Sequence, residues 1–315
     1  MLVLSSKNGK IGIPAAMEIL KCGGSVLDAV EVGTRIVERN AADHTVGLGG
    51  LPNAAGEVRL DASIMDGRSL LAGAVGSVGG IVHAITLARK VMEETPHVFL
   101  VGEGAERFAR EMGMKADDPL TAEAENKWRC GLQQHYPNLD LSNLDEVEDL
   151  ITVIKKLNAP MTGWVPEDKH GTVNFIAMDS QGNFATAVST SGWPWCYPGR
   201  LGDSPVIGGG GYADNRWGAA ASTGTGEVVL RTSATRSIVL YMKMGMSVSE
   251  ATLEALNDLS DLNDPYTDHI AIIAVDRSGN CVGYTHRSNE TYAFMTDGME
   301  EVEEVEMGEI TSSNQ

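Results

Sequence analysis

A threonine hydroxyl is a weak nucleophile unless a base stands beside it. The stretch His170-Gly171-Thr172-Val173-Asn174 could supply that base from the backbone itself. If the peptide before Thr172 is cut, the freed α-amino group has a pKa near ~7.7–8.0 and can take the hydroxyl proton. The cut can proceed by attack of the Thr172 hydroxyl on the Gly171 carbonyl, and glycine tolerates the strained backbone this requires. His170 adds a side chain that can move protons. Taken alone, the five residues read more simply as a glycine loop entering a strand with a β-branched first residue.

Other chemistries fit less well. Gly208 to Gly211 is followed by Tyr212 rather than by Lys and Ser or Thr, which argues against a phosphate loop. There is no His-Glu-x-x-His and no Gly-x-Ser-x-Gly elbow. The seven histidines are scattered, and His83 and His97 fall in core-like elements where packing is the simpler role. Cys22, Cys130, Cys196 and Cys281 are far apart and form no Cys-x-x-Cys pair, so they read as unpaired thiols of a reducing compartment. No metal or cofactor signature is present.

Four further motifs change the reading of Thr172. They are Ser189-Thr190-Ser191-Gly192, Gly199-Arg200-Leu201-Gly202-Asp203-Ser204-Pro205, Thr223-Gly224-Thr225-Gly226-Glu227 and, upstream, Leu60-Asp61-Ala62 to Met65-Asp66-Gly67. With Gly171-Thr172-Val173 and Pro96 to Ala105 they resemble, in order and interval, the N-terminal-nucleophile hydrolases of the glycosylasparaginase and plant-type asparaginase (isoaspartyl peptidase) family. The resemblance covers nearly the whole chain apart from its acidic tail. It implies that Thr172 is the nucleophile of both self-cleavage and hydrolysis, and that Thr190 bonds near it and tunes its amino group. Arg200 would clamp the substrate α-carboxylate, a role that suits its planar fork. Asp203 and the Gly226 carbonyl would hold the α-ammonium, while the Thr223 hydroxyl and Gly224 amide would form the oxyanion hole. A surface salt bridge is the plainer reading of Arg200 with Asp203, and a strand-end threonine that of Thr190.

Within the family, Val46-Gly47-Leu48-Gly49-Gly50-Leu51-Pro52 and His170 resemble the glycosylasparaginase branch. Gly171 and the Thr223 to Glu227 motif look more like the isoaspartyl peptidases, and Lys7-Asn8-Gly9 stands where the first branch has an early Trp. The resemblance implies an α+β fold, a four-layer αββα sandwich. It also implies self-cleavage into residues 1–171 and 172–315, pairing of two cleaved units into a homodimer, and a small β-aspartyl amide as substrate. A homologue that never cuts itself and only binds is the alternative from another class.

The elements that must position these residues follow from periodicity and breakers. After a first strand at Met1 to Ser6 and a loop at Lys7 to Lys10, Pro14 opens a helix to Cys22. Ser25 caps a second helix with Val26, Ala29, Val30, Gly33, Ile36 and Val37 on one face. Two short strands are expected around Asn53-Ala54-Ala55-Gly56. Gly73 to Gly80 then lead into a helix from Ile81 to Glu94, and His97 to Gly104 read as a short buried strand before a helix at Ala105 to Met112. Asp117 to Lys169 is polar and poorly periodic, with a short helix at Asp145 to Leu157 and a mobile linker over about 140–171. Beyond it, Thr172 to Met178 and Phe184 to Thr190 form a hairpin across Asp179 to Asn183. Trp217 to Thr223 is a strand, Glu227 to Met244 one helix, Val248 to Leu259 another, and His269 to Val275 pairs with Cys281 to Thr285. Strands in hairpins with helices arriving in groups favour antiparallel sheets flanked by helices.

The totals are those of a soluble globular protein. Hydrophobic content of 43% with 21% charge suits a real core. A formal charge of −19 argues against nucleic acid and anionic membranes as partners. Part of it sits in Asp297, Glu300, Glu301, Glu303, Glu304, Glu306 and Glu309, read as a solvated or frayed tail over about 297–315. No secretory leader or membrane helix is evident, so the expected compartment is the cytoplasm.

Overall fold

The computed structural model describes residues 1–135 and 171–310. Its strands build two sheets. The larger has eight strands, in the order β12(Glu303–Glu306), β11(Thr291–Thr296), β1(Leu2–Ser6), β5(Val173–Met178), β6(Phe184–Thr190), β2(Leu60–Asp66), β3(Ala72–Val78), β4(Phe99–Val101). The smaller has five, in the order β13(Gly308–Glu309), β10(Cys281–Thr285), β9(Ile270–Asp276), β8(Gly218–Gly224), β7(Gly211–Asp214). Pairing is antiparallel except for β3 with β4 and β10 with β13. Among the described residues no helix is long and apolar enough to cross a membrane.

Side-chain alternation along the strands sorts the core into layers. Val3, Val173, Phe175, Ala185 and Ala187 face helices α1(Ile13–Lys21), α2(Val26–Glu38) and α3(Ala84–Glu94). Their neighbours Leu2, Leu4, Ile176 and Phe184 face the second sheet, meeting Ala219, Ala221, Ala271, Ile273 and Val275. On the far side of that sheet Ala220, Ile270, Ile272 and Ala274 pack under the helices of 226–260. The result is the α+β, αββα arrangement of two mostly antiparallel sheets between helices.

The expected elements form for the expected reasons, with corrections. Ser25 and Asp28 make a reciprocal capping box at the start of α2, although Ile36 remains half-buried. Lys7 to Gly12 is a 3-10 turn rather than an open loop. Only one strand, β2, follows Asn53 to Gly56, and its partner β3 contains Gly73 and Gly76, so the helix starts at Ala84 rather than Ile81. The strand read as buried, β4, is a three-residue sheet edge with Val98, Phe99 and Val101 exposed. His97 is exposed, and His83 is half-buried beside Glu38.

The polar stretch after Asp117 includes a helix, α5(Ala122–His135), which follows α4(Gly102–Glu111) in the chain. Thr121 Oγ1 accepts from the Ala124 amide at its start, and Trp128 donates to Asn53 O at 2.9 Å. The expected helix at Asp145 to Leu157 lies outside the described residues. The single helix expected from Glu227 is two, α6(Gly226–Thr232) and α7(Ala234–Lys243), separated by Ser233 in the left-handed region at φ 51°. Helix α8(Val248–Ser260) then opens with a Ser247–Glu250 capping box. The acidic tail is not frayed as far as residue 310. Glu303, Glu304 and Glu306 lie on the edge strand β12, where charge is tolerated and discourages further pairing, and Glu309 lies on β13.

Candidate active site

The alternation that layers the core also assembles the site. On β5, Asn174 and Ile176 point into the gap between the sheets, and Thr172, two residues before Asn174, lies on that face just outside the strand. On β6 the same face carries Thr186, Val188 and Thr190, while Ser189 turns the other way and donates to the buried Glu38 of α2 at 2.8 Å. Val173 pairs with Ser189, so Thr172 and Thr190 stand side by side at one end of the hairpin. On β8, Ala219 and Ala221 face the gap, and Thr223 follows them. Three threonines from three strands therefore converge, and all lie at one end of the intersheet layer.

Hydrogen bonds fix the peptide on either side of Thr172. Thr190 Oγ1 donates to Gly171 O at 3.1 Å, and the Gly192 amide donates to Thr190 Oγ1 at 3.1 Å. Thr172 O accepts from Ser6 Oγ at 3.2 Å and from Thr223 Oγ1 at 3.4 Å. Thr172 itself is 5% exposed. Gly171 lies hard against Thr45: a Cβ added there would overlap Thr45 Oγ1 and lie 2.5 Å from its Cβ. Asp43 locks Thr45 in place, accepting from its hydroxyl at 2.6 Å and its amide at 2.9 Å. Gly224 has φ 126°, and any Cβ there would run into His269 O, so only glycine presents its amide at this spot.

A narrow pocket is lined by Gly171, Thr172, Thr190, Gly192, Trp193, Arg200, Gly202, Asp203, Ser204 and Gly224. Burial pushes the Asp203 carboxyl up to about 6, against the opposing hydrogen bond from Ser222 Oγ at 2.7 Å and the nearby Arg200. The backbone of Gly226 approaches Asp203 so closely that a Cβ would lie 2.6 Å from its amide. Arg200 does not pair with Asp203, contrary to the salt-bridge alternative. Its Nε and Nη2 donate side-on to Glu227 at 2.8 and 2.7 Å, and its guanidinium lies 4.8 Å over the Trp193 ring. Burial works against the Arg200 charge, but Glu227 holds its pKa above the usual arginine value. The side-on pairing leaves the Nη1 edge of the fork, the edge a second carboxylate could take.

Of the residues singled out in the sequence, Gly171, Thr172, Thr190, Arg200, Asp203, Thr223, Gly224 and Gly226 gather here. His170 lies outside the described residues. Four contributors were not read as site residues. Asp61 on β2 is buried, accepts from the Ser77 amide at 2.7 Å, and has its carboxyl pushed up to about 6 by burial. Trp193 lines the pocket although no early Trp occurs. Glu227 braces Arg200, and Asn174 joins the two sheets, donating through Nδ2 to Thr223 Oγ1 at 2.8 Å. Asn174 and Glu227 stood in the quoted motifs, but their partners are remote in sequence. Asp61 also stood in one of them, the upstream Leu60-Asp61-Ala62, whereas Trp193 stood in none.

Known proteins of similar sequence match most of the chain. The asparaginase family (Asparaginase_2) matches residues 10–305. An N(4)-(β-N-acetylglucosaminyl)-L-asparaginase of Elizabethkingia miricola is 40% identical over 260 residues, 81% of this chain and 68% of that one. An isoaspartyl peptidase/L-asparaginase of Rattus norvegicus is 42% identical over 239 residues, 76% of this chain and 65% of that one. A plant-type L-asparaginase of Thermococcus kodakarensis is 37% identical over 281 residues, 89% of this chain and 86% of that one. The chain thus spans about two thirds of the length of the first two relatives and most of the third.

Proposed function

The chain belongs to the asparaginase family, and on that premise we propose that it is an amidohydrolase that activates itself by cutting Gly171–Thr172 and then hydrolyses β-aspartyl amides. In the first reaction the Thr172 hydroxyl adds to the Gly171 carbonyl carbon. The C–N bond breaks, the hydroxyl proton passes to the leaving nitrogen, and an ester remains. Water then cleaves the ester, giving a Gly171 carboxylate and a free Thr172 amine. The support that carries this reading is the Thr190 Oγ1 contact to Gly171 O, a donor placed where negative charge would develop.

In the second reaction the free amine takes the Thr172 hydroxyl proton as the oxygen attacks the substrate β-amide carbonyl. Thr223 Oγ1 and the Gly224 amide stabilise the oxyanion, and the amine passes its proton to the leaving nitrogen. Water resolves the acyl-enzyme to aspartate. Arg200 takes the α-carboxylate on its Nη1 edge, and Asp203 with Gly226 O takes the α-ammonium. These opposite charges select a free α-amino acid head and leave the amide end to vary.

The first choice of substrate is N4-(β-N-acetylglucosaminyl)-L-asparagine, supported by the Val46 to Pro52 loop and the Elizabethkingia relative. The second reading, L-asparagine and β-aspartyl dipeptides, is favoured by Gly171-Thr172, the Thr223 to Glu227 motif and the Rattus relative. Purified protein would be assayed on all three. A higher kcat/KM on the glycosyl-asparagine supports the first reading, a higher value on the dipeptides transfers the assignment to the second, and no turnover of any by processed chain contradicts both.

A further inference from the structure

Asn174 closed the sequence motif around Thr172, yet the reaction as described gives it no part. It is 1% exposed and spans the gap between the sheets. Its Oδ1 accepts from the Ser6 amide at 3.0 Å, on β1 of the larger sheet. Its Nδ2 donates to Ser222 O at 3.2 Å and to Thr223 Oγ1 at 2.8 Å, both on β8 of the smaller sheet. The backbone amide of Asn174 donates to Ser6 Oγ at 3.2 Å, so Ser6 and Asn174 are doubly tied.

The polarity of this bridge is dictated by its backbone partners. The Ser6 N–H can only donate, so the amide atom facing it is the oxygen. The Ser222 carbonyl can only accept, so the atom facing it is the nitrogen. Two independent backbone groups thus fix the amide orientation that a side chain alone would leave ambiguous. The consequence falls on Thr223. Its Oγ1 must accept from Nδ2, and its one proton is then left to point away from Asn174, toward the Thr172 end of the pocket where Thr172 O lies at 3.4 Å.

We propose that Asn174 is a positioning residue that forces the Thr223 hydroxyl to act as a donor toward the reacting carbonyl and sets the distance between the nucleophile's strand and the oxyanion hole. This rests on the reading of Thr223 as an oxyanion donor. Without Asn174 the Ser222 carbonyl loses its donor and the Thr223 hydroxyl is free to turn its proton that way instead of toward the pocket, and preorganisation is lost. Losing one oxyanion donor costs ~10²–10³ in rate, which bounds the effect.

The test is a double-mutant cycle on the full chain, with kcat counted per mole of processed protein. Asn174→Leu keeps the volume and removes the donor; Asn174→Ser serves if the first does not fold. The expected result is a kcat loss of ~10-fold to ~10³-fold in the Thr223 background, with KM nearly unchanged, and little further loss when Thr223→Ala is already present. A loss of the same size in both backgrounds means that Asn174 acts only on the fold, and overturns the proposal. So does an unchanged kcat. If Thr223→Ala alone leaves kcat intact, the failure lies in the oxyanion reading itself.

Discussion

Replacing Gly171 by alanine adds one methyl group to the peptide that is proposed to be cut. The added Cβ would overlap Thr45 Oγ1 and stand 2.5 Å from Thr45 Cβ and 2.6 Å from its Cγ2. Thr45 has little room to yield. Its hydroxyl and amide are both bound by Asp43, and its carbonyl accepts from the Ser191 amide at 2.8 Å. The strain therefore falls on residue 171 and draws its carbonyl away from Thr190 Oγ1. Overpacking of this kind costs about 1–3 kcal/mol. If it is expressed in the transition state, processing slows by roughly 5- to 150-fold. Time-resolved denaturing electrophoresis with intact mass measures that rate. Thr45→Gly removes all three clashing atoms, so Gly171→Ala with Thr45→Gly is expected to recover most of the loss relative to Thr45→Gly alone. Wild-type processing of the single variant, or no recovery in the pair, would refute the argument.

Other outcomes follow from the same geometry. Arg200→Lys keeps the charge but loses the planar fork, the Glu227 pairing and the Trp193 stack, so KM should rise with kcat/KM down ~10- to 100-fold; an unchanged KM would remove Arg200 from carboxylate binding. Asp203 titrates near 6 instead of near the usual ~3.9 of an aspartate. It is neutral below that point and anionic above it, so KM should climb as pH falls through about 6, whereas a KM flat to pH 5 would separate Asp203 from the ammonium. Phe175 is fully buried and rings Gly9, Gly12 and Gly33, and Phe175→Ala should cost about 3–5 kcal/mol in thermal or denaturant unfolding.

The parts of this protein that were legible in its sequence are those where a local pattern carries the signal. The β5–β6 hairpin announces itself by apolar runs around Asp179 to Asn183, and Ser25 marks a helix start with its own cap. The site motifs are legible for a different reason: each is a tight loop or strand end whose residue types are dictated by a single chemistry. Elsewhere the determinant is remote. Gly73 sits on β3 because a Cβ there would strike Ala88 O of α3, a contact that no local propensity reports. The break at Ser233 depends on one left-handed residue within an otherwise continuous helical pattern. The glutamates of β12 read as a solvated tail because the strand is specified by its partner, with Glu304 paired to Lys10 at 2.9 Å across the chain. Glu227, Asp61 and Asn174 acquire meaning only when Arg200, Asp203 and Thr223 are brought beside them.

Under the proposed function the chain makes its own nucleophile. Intact mass of the purified protein, with N-terminal sequencing of its fragments, tests this most directly. Two pieces are expected, the second beginning Thr172-Val173-Asn174-Phe175, and an uncut, folded chain for Thr172→Ala. A wild-type protein that stays at full length on long incubation, or a Thr172→Ala chain that is processed at the same bond, would contradict it.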